Sequence, residues 1–232
     1  MLRDQARLHL GLMLVLTFST GVVDALGYLG LDKVFTANMT GNVVILAMGL
    51  TGQDDLPIVG PIVALAGFIV GATVAGRFLR GVPKGWHRRD TWVLGIVASL
   101  LLIALIPTAF ITTTPAVPAL GLPVTALLAI AMGVQAGAAR HIAVTDVTTV
   151  VITSTLAALA FDSRFGRSTG QTWFRRLAAV TLLALGALSG AALLLIAFWV
   201  GLALAALLLV VVAVLGTLGS RTLEKESERS AQ

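Results

Sequence analysis

Long apolar runs with almost no charged residues constrain this chain more than any other feature. A helix rises about 1.5 Å per residue, so about 20 mostly apolar residues cross the roughly 30 Å hydrocarbon core of a bilayer. Such runs cover residues 8–31, 57–79, 91–113, 119–139 and a double-length stretch, 177–220. The last run allows two crossings, and we expect its turn near Trp199 and Gly201 because Trp favours the membrane interface. The sequence therefore predicts an all-α polytopic membrane protein with six transmembrane helices.

Composition argues against the main soluble classes. The chain is 57% apolar and 12% charged, with a mean hydropathy of +0.97, whereas soluble domains average about 25% charged residues. The net charge of +5 does not indicate nucleic-acid binding, because Lys and Arg form short clusters between apolar runs, as membrane flanks do. With no Cys, three scattered His and no hydrolase or phosphate-loop motif, the sequence predicts no catalytic residue, no cofactor and no metal site.

Two further segments, 34–52 and 142–161, are polar in their first half and apolar in their second. They either span the membrane, giving eight crossings, or are re-entrant, returning to the face from which they came. Basic residues accumulate in the cytoplasm. With two re-entrant segments and a cytoplasmic N-terminus, all basic residues except Lys33 are cytoplasmic, whereas two extra crossings would leave nine inside and seven outside. We therefore predict two short re-entrant or broken helices and cytoplasmic N- and C-termini.

The same features occur in the same order in two halves, approximately residues 8–113 and 119–220. Each half has a Gly-Val pair (at 21 and 133), a polar tetrapeptide (39–42 and 152–155) and a GxxxG pair (Gly67 and Gly71; Gly186 and Gly190). Because each half has three crossings, the second half enters the membrane inverted. The pattern predicts one membrane domain built from two inverted-topology repeats (3+3), an arrangement that recurs in secondary transporters. Residues 221–232 are predicted to form a polar cytoplasmic tail.

Polar side chains in the two ambiguous segments predict a solute site. The candidate residues are Asn38, Thr40, Gly41 and Asn42 in the first half and Thr153 and Thr155 in the second. Asn38 or Thr40 could cap a short helix whose free N–H groups and partial positive charge at mid-depth suit an anion or a polar solute. Gly41 offers no side chain to obstruct close approach. Alternatively, these hydroxyls and amides hydrogen-bond helices together.

Three charged residues near these segments stand out. A carboxylate inside the first span, Asp24, is costly unless it is paired, hydrated or protonated. It could be the titrating group of a proton-coupled carrier, or it could fasten one helix to another. Asp146 could pair with Arg140 or His141, for which a structural role is the simpler interpretation, since Arg140 can reach the membrane surface.

Residues 21–25 (GVVDA) and 35–42 (FTANMTGN) resemble the YoaK-like family of bacterial membrane proteins. The resemblance covers about residues 8–218. The second half departs from the pattern, with Gln135-Ala136-Gly137 where the family often has Gln-Asn-Ala, and Thr153-Ser154-Thr155 where it often has Thr-Gly-Thr. The resemblance implies a multi-pass protein of the bacterial inner membrane and no particular activity.

Two functional hypotheses follow from the polar pattern and the repeat. The first is a transporter or channel for a small polar solute or ion, with proton coupling through Asp24. The second is a non-transporting scaffold or accessory subunit that binds another membrane protein, or a second copy of itself, through the GxxxG faces. In both cases the lipid bilayer is the principal partner, and neither nucleic acid nor an enzymatic reaction is expected.

Overall fold

The computed structural model describes residues 2–52, 54–109, 118–142, 152–163 and 173–230. In these residues the chain forms eight helices: α1 (Leu2–Gly30), α2 (Met39–Gly49), α3 (Val59–Phe78), α4 (Arg88–Ala109), α5 (Pro118–Ile142), α6 (Ile152–Phe161), α7 (Trp173–Leu194) and α8 (Phe198–Ser230). Six of them are long and apolar enough to cross a membrane, and α2 and α6 are not. The predicted all-α polytopic fold with six long apolar helices and two short ones is confirmed.

The turn in the double-length run lies slightly earlier than predicted. The chain turns between α7 and α8 at residues 195–197, where Leu195 and Ile196 donate hydrogen bonds three residues back along the chain. Trp199 lies in the first turn of α8 instead of in the connection, and its side chain is exposed. The residues assigned to the polar tail continue α8 as a helix up to Ser230.

Close glycine contacts join α1 to α7 and α3 to α5. On α7, a Cβ at Gly186 would collide with the carbonyl oxygen of Phe18, and one at Gly190 would be too close to that of Val22. A step of four residues along α7, from Gly186 to Gly190, matches a step of four residues in the same direction along α1, from Phe18 to Val22. The two helices therefore run parallel. On α3, Gly67 and Gly71 meet the backbone of α5 four residues apart in the same way, so α3 and α5 also run parallel.

Both GxxxG pairs therefore pack against other helices of the same chain. Small residues let helix backbones approach closely in lipid, and here the approach is between helices of one molecule. A second protein that used these faces would have to displace α1 or α5 from them, so the packing gives no support to the scaffold hypothesis.

Around α2 the chain leaves and re-enters the bundle at one face. The loop residue Val34 packs against Gly27, near the end of α1, and against Gly60, at the start of α3. With 11 residues, α2 is about 16 Å long, roughly half the hydrocarbon core. The face where α1 begins is called here the N-terminal face, so α1 ends and α3 begins at the opposite face.

The α6 segment likewise returns to the N-terminal face. At the end of α5, His141 contacts Asp90, which lies in the first turn of α4. The loop between α3 and α4 reaches the start of α1, because Trp86 of this loop stacks on His9 of α1. The parallel packing with α1 starts α7 at the same face, where Arg176 contacts the end of α6. With 10 residues, α6 is also too short to cross.

Candidate solute site

The Asp24 carboxylate receives the backbone that leads into α2. Its Oδ1 atom accepts hydrogen bonds from the N–H groups of Thr36 (3.0 Å), Ala37 (2.7 Å) and Asn38 (3.3 Å). Backbone N–H groups that point at one position form a natural anion site, and a carboxylate at a helix N-terminus also complements the helix dipole. Asp24 is therefore the built-in anion at the start of α2, and it fastens the extended segment to α1.

Two asparagines fix the local shape of this segment. Asn38 is the N-cap of α2, and its side-chain oxygen accepts a hydrogen bond from the Gly41 N–H at 3.3 Å. The buried Asn42 side chain pairs with Phe35 in both directions, donating to its carbonyl at 2.6 Å and accepting from its N–H at 2.9 Å. The capping role predicted for Asn38 is confirmed, whereas Asn42 acts as a buried internal clamp.

A cavity of about 710 Å³ lies beside the start of α2. Its polar lining comes from α1, α2 and α6: Thr20, Asp24, Tyr28, Asn38, Thr40 and Thr153. The apolar lining includes Val44, Ile45 and Leu183 of α7. A volume of this size lies within the range of small-molecule sites, roughly 300–1,000 Å³. Residues from both halves of the chain thus meet around one space.

The structure brings together most of the residues nominated from the sequence. Of the seven, the five that line the cavity are Asp24, Asn38, Thr40, Gly41 and Thr153. Asn42 and Thr155 are buried and lie outside the lining. The side chain of Arg140 is exposed, and Asp146, its suggested partner, lies outside the described residues.

The N–H groups just before the start of α2 are not free to bind an anion. The three N–H groups that converge there already bind Asp24 Oδ1. A second anion would have to approach the same carboxylate, which like-charge repulsion opposes. The site is suited to neutral or positively charged groups.

The lining residues that sequence reasoning did not nominate include Thr20, Tyr28 and Phe35. The rings of Tyr28 and Phe35 stack with their centroids 4.9 Å apart. Tyr28 is the one tyrosine in the chain, a signal that could have nominated it. Thr20 accepts a 2.9 Å hydrogen bond from Gln135 of α5, a contact over 115 positions that no local pattern reveals.

A second polar cluster lies at the N-terminal face, away from the cavity. The carboxylate of Asp90 is fully buried; its Oδ1 lies 2.7 Å from His141 Nδ1, and its Oδ2 accepts the His87 N–H at 2.9 Å. The other ring nitrogen of His141 lies 3.1 Å from the carbonyl oxygen of Val82. His141 therefore joins α5 to the start of α4, whereas the sequence suggested Asp146 as its partner.

Six membrane-length helices and two half-length helices, with a carboxylate held inside the bundle, define a polytopic α-helical membrane protein. The chain belongs to the family described as "Protein of unknown function (DUF1275)", whose model matches residues 12–215. It is 33% identical over 154 residues to the UPF0700 transmembrane protein YoaK of Bacillus subtilis (strain 168), and the alignment spans 65% of each chain. The predicted YoaK-like family is thereby confirmed. No solved structure matches the chain.

Proposed function

We propose that this protein is a transporter or channel for a small polar solute or ion, and not an enzyme. The observation that carries the proposal is the cavity itself. An intramembrane carboxylate, Asp24, shares it with polar side chains from α2 and from α6. Ionisable residues inside membrane helices are rare and commonly mark ion or substrate pathways. Thr153, an exposed residue of α6, gives the second half a contact in the same space.

The helix packing supports an inverted-topology repeat around this site. If α1, α2, α3 and α4 correspond to α5, α6, α7 and α8, the parallel pair α1–α7 becomes the parallel pair α5–α3. The glycine contacts obey the same exchange: Gly186 meets Phe18, and Gly71 meets Ile130. A binding site between inverted repeats can open to each face in turn as one half rocks against the other. This is the mechanism that we propose for solute movement.

We also propose an orientation for the protein, on the basis of its basic residues. With the N-terminal face in the cytoplasm of the bacterial inner membrane, the basic clusters at residues 77–89 and 164–176 are cytoplasmic. The acidic pair Asp54 and Asp55 is then external. This distribution follows the excess of Lys and Arg that cytoplasmic loops carry.

Flux into proteoliposomes tests the proposal. Purified protein is reconstituted and screened with a panel of radiolabelled small solutes, with and without a pH gradient. We expect at least one solute to enter faster than in protein-free vesicles, and Asp24→Asn to slow it at least tenfold. A pH gradient should change this rate if Asp24 couples transport to protons. Asp32→Asn, which changes an exposed loop carboxylate, is the matched control and should leave the rate unchanged.

The outcome that would contradict transport is equally specific. If no solute in the panel enters faster than in protein-free vesicles, or if Asp24→Asn and Asp32→Asn behave alike, the cavity does not conduct solute.

A further inference from the structure

We propose that the cavity binds a small organic cation, such as a protonated amine that carries a short apolar group. This inference rests on the proposed function for the site's role in transport, but its binding chemistry can be tested separately. Three observations carry it: the sign of the charge in the lining, the aromatic pair, and the size and apolar surface of the space.

The described residues that line the cavity carry negative charge and no positive charge. Among the described residues that line the cavity, Asp24 is the one with a formal charge at neutral pH, and no Lys, Arg or His contributes to the lining. The three backbone N–H groups that could have bound an anion bind Asp24 Oδ1 instead. Among the residues that the structure describes, every backbone N–H that binds this carboxylate binds Oδ1, and a carboxylate oxygen has lone pairs enough to accept a hydrogen bond from an ammonium group as well.

The aromatic pair favours the same ligand. Tyr28 and Phe35 both line the cavity and stack on each other at an interplanar angle of 26°. The face of an aromatic ring carries negative potential and attracts ammonium groups within about 6 Å, more strongly when water is excluded. A carboxylate combined with aromatic faces therefore provides two independent contacts for a cationic nitrogen.

Size and apolar surface select an organic cation over a metal ion. The space of about 710 Å³ equals the liquid volume of roughly 24 water molecules at about 30 Å³ each, far more than one dehydrated ion fills. Ca²⁺ takes about 6–8 oxygen ligands, with carboxylates supplying the negative charge, whereas Asp24 is the one carboxylate among the described residues of this lining. Val44, Ile45 and Leu183 leave room for the hydrocarbon part of an amine.

Three probes with one carbon skeleton test the inference: n-butylamine, 1-butanol and butyrate. Each is radiolabelled, and its equilibrium binding to purified protein in detergent is measured by scintillation proximity at pH 7. Butylamine, a cation at this pH, should bind saturably at one site per chain, and the other two should bind at least tenfold more weakly. Asp24→Asn, which keeps an oxygen for the three N–H groups, should weaken butylamine binding at least tenfold.

Variants of the aromatic residue separate its contribution from folding. Tyr28→Leu should weaken butylamine binding severalfold, whereas Tyr28→Phe should leave it nearly unchanged because the ring face remains. Asp32→Asn should bind butylamine like the wild type. Thermal unfolding of each variant identifies any loss of binding that comes from misfolding.

The results distinguish this inference from the proposed function. Stronger binding of butyrate or butanol than of butylamine would overturn the cationic site. The inference would also fail if butylamine did not bind while Asp24-dependent flux of another solute survived. Butylamine binding without flux of any solute would support the site and contradict the transport function.

Discussion

The two short helices are held in place at opposite ends. The start of α2 is fixed by Asp24, whose Oδ1 gathers three backbone N–H groups before the helix begins. The end of α6 is fixed by Arg176, which donates hydrogen bonds to the Ala158 carbonyl at 3.0 Å and the Asp162 carboxylate at 2.9 Å. In the contacts of the described residues, different polar residues therefore hold the two short helices.

In the proposed repeat, Ala136 is the residue of the second half that corresponds to Asp24. Gly21 packs against the backbone of α7, and Gly133 packs against the backbone of α3 in the same manner. Three residues further along each helix lie Asp24 and Ala136. One half therefore contributes the charge of the cavity, while the other contributes the hydroxyl of Thr153. In the proposed transporter, the first half alone would recognise the charge of the solute.

The largest effect on stability should follow from Asp24→Ala. This change leaves three N–H groups without their acceptor, two of them partly buried (Thr36 and Ala37) and one exposed (Asn38), and a lost buried hydrogen-bond partner costs about 1–3 kcal/mol. We expect a loss of about 2–4 kcal/mol by that scale, measured as thermal unfolding in detergent. Hydrogen exchange should accelerate in α2 but not in α6. Asp24→Asn should lose far less, and equal exchange in both short helices would contradict the comparison.

Gly71→Ala and Gly186→Ala should destabilise the protein to a similar extent. Each new methyl group would collide with a carbonyl oxygen of the neighbouring helix, of Ile130 or of Phe18. Overpacking costs about 1–3 kcal/mol, which the unfolding midpoint would show. The matched control is Gly76→Ala in α3, where no atom lies within 4 Å of the new carbon. It should be neutral or stabilising, by up to about 1 kcal/mol. Strong destabilisation by only one of the two substitutions would contradict the proposed equivalence of the two helix pairs.

Arg176→Gln should loosen the end of α6 by a smaller amount. Its ion pair with Asp162 is mostly shielded from solvent, and hydrogen bonds to charged groups contribute about 1.5–3 kcal/mol. We expect faster amide exchange in residues 158–163 and no change in α2, the reverse of the Asp24→Ala pattern. Unchanged exchange near Asp162 would show that this contact does not hold α6.

Thr153→Val should have the smallest effect on stability, under about 0.5 kcal/mol, as for a substitution away from a packed core. It removes a cavity hydroxyl while keeping the shape of the side chain, so solute flux or butylamine binding should weaken by about two- to tenfold, the cost of one ordinary hydrogen bond. Thr153→Ser keeps the hydroxyl and should behave like the wild type. If Thr153→Val and Thr153→Ser had the same flux and the same butylamine binding, the hydroxyl of Thr153 would not contact the solute.

Features that depend on neighbouring residues in the sequence could be predicted from it. Apolar runs specify the six long helices, because hydrocarbon length fixes the helix length. The cap at Asn38 was also predictable, since its hydrogen bond reaches only three residues ahead. The turn between α7 and α8 was predicted too late in the chain because the prediction placed it at Trp199. A Trp at the membrane interface can lie inside the first turn of a helix, as Trp199 does, as readily as in the connection.

Contacts between distant residues were not predictable from the sequence alone. The acceptor role of Asp24 depends on a segment 12 to 14 positions away, and that of Asp90 depends on His141, 51 positions away. Neither spacing is a helical period. The sequence marked Asp24 as costly in a membrane but could not say which groups would satisfy it. It nominated Asn42 for solute contact, although its amide matches the backbone of Phe35.

Cysteine labelling tests most directly the central claim that α2 and α6 return to the face from which they start. The native chain has no Cys, so single variants at Asp32, Asp54, Lys84, Arg140 and Ser163 report one site each to a membrane-impermeant maleimide in oriented vesicles. The account predicts that positions 32 and 54 label from one face and that 84, 140 and 163 label from the other. Labelling of positions 32 and 54, or of 140 and 163, from opposite faces would contradict it.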